Sequence, residues 1–351
     1  YSGCGNTLNS NHPVVAKFIK DCLEYWVEEM HVDGFRFDEA SILSRDENGN
    51  VLSYPTVLWN IDLSEKLSKT KIFAEPWDAA GAYLVGRFPG YRFVEWNGKY
   101  RDEIRRFVRG DTGLVPTITG RITGSADLYQ HSDRLPLNSL NFITAHDGFT
   151  MYDLVSYNQK QNHANGENNN DGIDNNYSWN CGMEGETDDQ NIMKFRFKQI
   201  KNFITLLFLS KGIPMITMGD EIARTQKGNN NTYCQDNDIS WFNWEMVNSN
   251  GALLDFFKRT IKFRKKHKFF YDNDSFTNAD KNGWPEIAFH GCQLNSPGWD
   301  NTNSRVISFT LIGKIHIMIN MDDKGLLFDI PEIKDKLWYM AINTDEDGIG
   351  V

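Results

Sequence analysis

Three short segments of this 351-residue chain carry residue types that could do chemistry: Val32-Asp33-Gly34-Phe35-Arg36-Phe37-Asp38, Ile72-Phe73-Ala74-Glu75-Pro76-Trp77 and Phe142-Ile143-Thr144-Ala145-His146-Asp147. Each opens as an apolar, strand-like run and delivers a carboxylate. Three carboxylates at the ends of three buried strands can stabilise a sugar cation and pass protons to and from an oxygen, which is what hydrolysis of a glycosidic bond requires. Side chains two apart in a strand share a face, so Arg36 points the same way as Asp38. A guanidinium there favours the ionised carboxylate, the form able to attack an anomeric carbon. Glu75 has Phe73, Pro76 and Trp77 around it in sequence, an apolar setting that suits a proton carrier near neutral pH. His146 adjoins Asp147. Taken singly, these features have ordinary readings as an ion pair, a helix cap and a polar loop. Three together, each in strand context, favour the chemistry.

The elements that must position these groups are legible as an alternation. Pro13 opens a helix in which Val15, Phe18, Ile19, Cys22, Leu23, Trp26 and Met30 recur at helical spacing. The strand 32–38 follows, then a polar loop over 44–53, a helix over 56–67 and the strand 71–75. Residues 91–96 read as a strand, 100–108 as an amphipathic helix, and 110–139 as a long loop rich in Gly, Ser and Thr. A strand over 141–147, a polar Asn- and Gly-rich loop over 158–189, a strong helix over 192–210, a strand over 213–218 and a helix over 253–266 complete the pattern. Strand and helix in alternation predict parallel strands with crossover helices. Long loops after the strands suit a (β/α)8 barrel, whose active site is made from them. The expected fold is α/β: an incomplete (β/α)8 TIM barrel, about strands 4–8, spanning residues 1–275. It is followed by a small antiparallel β-sandwich domain over 276–351, itself expected to be cut short. The runs Val306–Leu311 and Ile315–Ile319 carry that second expectation.

Composition narrows the partners. The formal net charge is −10, which argues against nucleic acid because phosphate binding needs surplus Lys and Arg. The five cysteines are widely spaced with no C-x-x-C, so neither a disulfide framework nor a zinc site is expected. No apolar run approaches the roughly 20 residues that span a bilayer. Among the ten tryptophans, those in polar loops can stack on sugar faces. The oxygen-rich turns at 46–50 and 168–172 lack the spacing of an EF-hand loop. They read as Asx turns.

These segments resemble three of the four conserved regions of the α-amylase superfamily of glycoside hydrolases. Within it the chain is most similar to the isoamylase and glycogen-debranching group. The resemblance is carried by Gly3-Cys4-Gly5-Asn6-Thr7-Leu8-Asn9, residues 33–38, Ala74-Glu75-Pro76-Trp77-Asp78, Glu95-Trp96-Asn97-Gly98-Lys99-Tyr100-Arg101-Asp102, Ala145-His146-Asp147-Gly148-Phe149 and Gly228-Asn229-Asn230-Asn231-Thr232-Tyr233.

The resemblance implies a retaining mechanism. Asp38 is the nucleophile, Glu75 the general acid and base, and Asp147 the stabiliser of the transition state. Arg36 orients Asp38, His146 contacts the sugar, and Trp77, Trp96 and Asn97 are further candidates for sugar contact. The carboxyl groups of Asp38 and Glu75 are then expected roughly 5–5.5 Å apart. Ser41 and Ile42 stand where α-1,4 amylases carry Lys-His, which favours α-1,6 branch points of glycogen, limit dextrin or amylopectin. The alternatives are an α-1,4-acting amylase or a non-catalytic glucan-binding subunit.

No metal or other cofactor is expected, although relatives in the group that hold calcium leave that ion open. The expected location is the cytoplasm, with a plastid as the alternative. The family's first conserved region has no counterpart here, so the chain by itself is expected to be inactive although the parent enzyme is active. Glu39 stands where isoamylases often carry a small or apolar residue, and no role for it follows from the sequence.

Overall fold

Helix α1 (Pro13–Glu28) begins where Pro13 can no longer donate a backbone hydrogen bond, and the His12 ring caps it by accepting from Val14 N at 3.3 Å. The computed structural model describes residues 1–273, 286–311 and 314–345. Two compact units emerge, residues 1–99 with 124–141, and residues 100–123 with 142–351.

In the first unit, strand β1 (Gly34–Phe37) follows α1, and helix α2 (Thr56–Asp62) leads to strand β2 (Lys71–Ala74). Strand β3 (Val94–Trp96) comes next. Strand β4 (Ser139–Phe142) closes the series. β1 pairs with β2, β2 with β3 and β3 with β4, all parallel, in the register Arg36↔Phe73, Ala74↔Glu95 and Trp96↔Leu140. The core beneath holds Val57, Leu58, Ile61, Leu67, Ile72, Phe88 and Phe93. Parallel strands with helices between β1 and β2 and between β3 and β4 are the α/β arrangement expected, while β2 runs to β3 without a helix.

Two boundaries differ most from the sequence reading. Helix α2 stops at Asp62 rather than running to 67, and the Asp62 carboxylate accepts from Tyr91 N at 3.0 Å and Arg92 N at 3.1 Å. Strand β4 starts at Ser139 and ends at Phe142, so His146 and Asp147 lie on the loop beyond it. Ser139 and Asn141 are buried and bonded to each other at 2.7 Å, a polar pair inside a strand that an apolar-run criterion passes over.

Helix α3 (Gly98–Val108) leads into residues 110–139, where a loop was the expectation. The structure corrects it: α4 (Val115–Ile122), α5 (Ala126–Tyr129) and two 3-10 turns occupy the segment. Val115, Ile118 and Ile122 line one buried face of α4, a helical spacing hidden by the glycines and threonines around it. The second unit continues with α6 (Met151–Leu154), α7 (Gln190–Phe208), strand β5 (Ile213–Met215), α8 (Met246–Ser249) and α9 (Gly251–Lys266). Asp189 caps α7 by accepting from Asn191 N and Ile192 N. Ile200, Ile204, Leu207, Phe256 and Phe257 form the centre of this unit's core. Strands β6 (Ile287–His290), β7 (Val306–Leu311) and β8 (Ile315–Asn320) make a separate antiparallel sheet. The expected boundary at 275/276 lies outside the described residues. No helix among the described residues is long and apolar enough to cross a membrane.

Candidate active site

The backbone ladder between β1 and β2 continues past both strand ends. Glu75 N donates to Phe37 O at 3.0 Å, and Ala40 N donates to Glu75 O at 2.9 Å. The segments bearing Asp38 and Glu75 are thereby held side by side. Arg36 joins them: one guanidinium nitrogen, Nη1, bonds Asp38 Oδ1, and the other, Nη2, stands 3.0 Å from Glu75 Oε2. The Cζ of that guanidinium lies over the Trp96 ring, 4.5 Å from its centroid, a cation–π contact. The Asp38 side chain is 76% exposed and that of Glu75 only 7%. One carboxylate is thus open to a ligand and the other shielded.

Glu39 acts through its backbone. Its φ of 40° lies in the left-handed region, and its N–H donates to Glu75 Oε2 at 2.8 Å. The sequence pointed to apolar neighbours for Glu75. The structure adds a cation and a backbone donor, both aimed at one carboxylate oxygen.

The other candidates in this unit divide. Trp77 stacks on Tyr83, with ring centroids 6.0 Å apart and planes at 12°. Trp96 is buried under Arg36. Asn97 is fully buried, and its Nδ2 donates to Ser139 Oγ at 2.9 Å and Ser125 Oγ at 3.3 Å. These bonds tie Asn97 to strand β4 and to the start of α5.

In the second unit, His146 Nε2 lies 3.3 Å from Asp147 Oδ2, and both side chains are exposed. Gly148 N donates to Asn230 O at 2.9 Å, so the loop with these two residues is tied to the Gly228–Asn231 turn. That turn is knitted to the Asn-rich loop. Asn162 Nδ2 donates to Asn230 Oδ1 at 2.8 Å, Asn231 Nδ2 to Asp171 Oδ2 at 2.9 Å, and Asn230 Nδ2 to Ile173 O at 2.7 Å. Gly172 has a φ of 75°, and a Cβ there would fall 2.3 Å from Asn230 Oδ1. A stretch that reads as solvated loop is an ordered amide lattice.

No family model matches the chain. Its sequence is 46% identical over 353 residues to isoamylase 3, chloroplastic, of Oryza sativa subsp. japonica, covering 98% of this chain and 44% of that protein. It is 40% identical over 351 residues to the glycogen operon protein GlgX homolog of Haemophilus influenzae, covering 98% of this chain and 52% of that protein. The chain belongs to the isoamylase and glycogen-debranching group of the α-amylase superfamily. It spans about half the length of these relatives. In fold it is similar to apo pullulanase from Paenibacillus barengoltzii, with a TM-score of 0.66 and 19% identity over 94% of this chain and 47% of that one. Pullulanase from Bacillus acidopullulyticus gives a TM-score of 0.62 and 23% identity over 88% and 34%.

Glu95, in the isoamylase-group motif, ties together the segments that precede β3 and β4. Arg134 Nη1 bonds Glu95 Oε1, and the N–H groups of Gly86 and Phe88 donate to the same carboxylate. Burial pushes the Glu95 carboxyl up from its ordinary range, with Arg134 and the two N–H groups pulling against it. Arg134 escapes a sequence reading because it lies 39 residues away in a segment with no motif. The 46–50 turn is an Asx turn, with Asp46 Oδ1 accepting from Asn48 N at 2.9 Å and Asn50 N at 2.8 Å. Among the described residues no group of three or more His, Cys, Asp and Glu side chains could hold a metal ion.

Proposed function

We propose that this isoamylase-group chain carries the catalytic residues of a retaining glycoside hydrolase acting on α-1,6 branch points of glycogen, limit dextrin or amylopectin. The observation that carries the reading is the single Arg36 guanidinium touching both Asp38 and Glu75. Two carboxylates spanned by one guanidinium are close neighbours, the arrangement a double displacement needs.

In the proposed reaction, Glu75 donates a proton to the glycosidic oxygen while an Asp38 oxygen attacks the anomeric carbon. The C–O bond to the main chain breaks and a glycosyl ester on Asp38 forms. Glu75, now ionised, takes a proton from water, whose oxygen attacks the same carbon and frees Asp38. Asp147 stabilises the cationic transition state through the sugar hydroxyls, with His146 beside it. Trp77 is the proposed sugar contact in the first unit. Trp96 and Asn97 are buried, so their proposed share in sugar binding passes through the groups they hold in place: Arg36 above Trp96, and the Ser125 and Ser139 hydroxyls on Asn97. The reaction as written uses side chains and water. Preference for the α-1,6 bond over α-1,4 rests on Ser41 and Ile42, which supply no Lys-His pair after the nucleophile. We place the protein in the cytoplasm, with a plastid as the alternative.

The test is the full-length protein on glycogen, on phosphorylase-trimmed limit dextrin and on linear amylose. Release of linear chains from the branched substrates, without shortening of amylose, is the expected product profile. Shortening of amylose at a comparable rate would replace the α-1,6 assignment with an α-1,4 one.

A further inference from the structure

The turn after Glu75 is built around a buried carboxylate that the proposed chemistry leaves unused. Asp78 is held bidentately by Arg45, Nε to Oδ2 at 2.8 Å and Nη2 to Oδ1 at 3.1 Å. The same Oδ1 accepts from Ala80 N at 3.0 Å and Ala82 N at 3.1 Å, and Asp78 N donates back to Ala82 O. Burial pushes the Asp78 carboxyl up, but Arg45 and the N–H groups of Ala82 and Ala80 outweigh it and leave it below its ordinary range. The pair is therefore ionic, joined through two nitrogens and two oxygens.

Two consequences follow for the loops. Folding residues 78–82 into a closed turn brings Tyr83 back against Trp77: the two form an antiparallel bridge, Leu84 N donates to Pro76 O at 2.6 Å, and the rings stack. Behind them Gly98 leaves the needed space, since a Cβ there would stand 2.7 Å from Tyr83 Oη and 3.3 Å from Trp77 Cζ3. Arg45 lies in the loop that follows Asp38, and Arg45 Nη1 also donates to Gly49 O at 2.6 Å. One ion pair thus links the loop after β1, which bears the proposed nucleophile, to the loop after β2, which bears the proposed acid.

We infer that Arg45 and Asp78 are positioning residues for the leaving side of the reaction, and that they hold Tyr83, stacked on Trp77, where it reads the glucan main chain. The inference rests on the reading of Glu75 as the general acid. A general acid stands beside the oxygen that departs, and Trp77 is two residues beyond it, so the stacked pair flanks the departing sugar. Tyr83 is 47% exposed, with an apolar ring face and a hydroxyl rim. That combination matches a glucose residue, whose C–H face is apolar and whose edge is polar.

Two substrates separate this role from a structural one. Limit dextrin has sugar on the leaving side; α-maltotriosyl fluoride has only fluoride there. In the full-length protein, Asp78→Asn, Arg45→Lys and Tyr83→Ala are each expected to lower the ratio of kcat/KM on dextrin to kcat/KM on the fluoride by about 10- to 100-fold. Arg45→Lys, which keeps the charge but not the fork, should fall less than Asp78→Asn. A parallel fall on both substrates, or an unchanged ratio in Tyr83→Ala, overturns the inference. Tyr83→Ala decides even where Asp78→Asn loses stability, because Tyr83 is about half exposed and the buried Arg45–Asp78 pair is left intact. Fluoride hydrolysis that survives in Asp38→Asn would overturn the assignment of the site itself, a result distinct from either.

Discussion

Asp38 in the first unit and Asp153 and Asp220 in the second are carboxylates in opposite surroundings. Asp38 is largely exposed and paired with a guanidinium. Asp153 is fully buried and accepts from Thr225 Oγ1 at 2.5 Å and Gln226 N at 2.8 Å. Asp220 is buried too, bonded to Thr144 Oγ1 and, at 2.8 Å, to Met151 N. Burial pushes both buried carboxyls up to about 6, with the hydroxyl and N–H donors only partly offsetting it. A carboxylate held by an arginine at an open strand end remains available to a ligand. One wrapped by hydroxyls and N–H groups has no oxygen to spare and serves as a staple between loops. These acidic residues are thus sorted by their partners.

That contrast can be broken most sharply at Asp38. Asp38→Asn in the full-length protein should lower activity on branched glucan by about 1000-fold or more, while its melting temperature stays that of the wild type. A large loss of stability in place of activity would move Asp38 into the same class as Asp153.

Arg134→Met tests the opposite class within the first unit. It leaves Glu95 buried without its cation and should cost about 3–5 kcal/mol in urea unfolding. A cost below 1 kcal/mol, roughly that of a surface ion pair, would show that the strand ends do not depend on this link.

The buried aspartates sharpen the comparison through pH. Their folded-state pKa lies above the unfolded one, so the folded state holds the extra proton between about pH 4 and 6. Stability from these two groups is therefore greatest below that window and declines as pH rises through it, by an amount on the order of 3 kcal/mol each. Asp153→Asn should remove its share of the slope in urea midpoints measured from pH 4 to 6.5. The opposite sign holds for Asp78, whose contribution is present above the ordinary carboxylate pKa and fades on acidification. The smallest expected effect is Gly172→Ala, at about 1–2 kcal/mol, since its positive φ and the Asn230 contact both oppose a Cβ. No change there would mean that the amide lattice of the second unit yields easily.

Much of the site was readable before folding was considered. The alternation of strands and helices and the phase of Arg36 with Asp38 are local patterns, and period and spacing record them. The helices within 110–139 were missed because glycine and threonine mask a sparse apolar stripe. The strand before Asp147 was misplaced because its inward side chains, Ser139 and Asn141, are polar. Glu39 had no role in sequence because its contribution is a backbone N–H set by a left-handed φ, and side-chain identity carries no trace of that.

The amino-acid order by itself determined which groups could react and which strands deliver Asp38 and Glu75, because strand period and apolar runs are properties of neighbouring residues. Tertiary structure alone decided that Arg36 spans two carboxylates, that Arg134 answers Glu95 and that Arg45 clamps Asp78. Those pairs join residues from separate parallel strands and loops, 33 and 39 positions apart for the last two named in reverse order. Contacts across such crossovers form only when the sheet aligns its strand ends, and nothing periodic in the chain announces them.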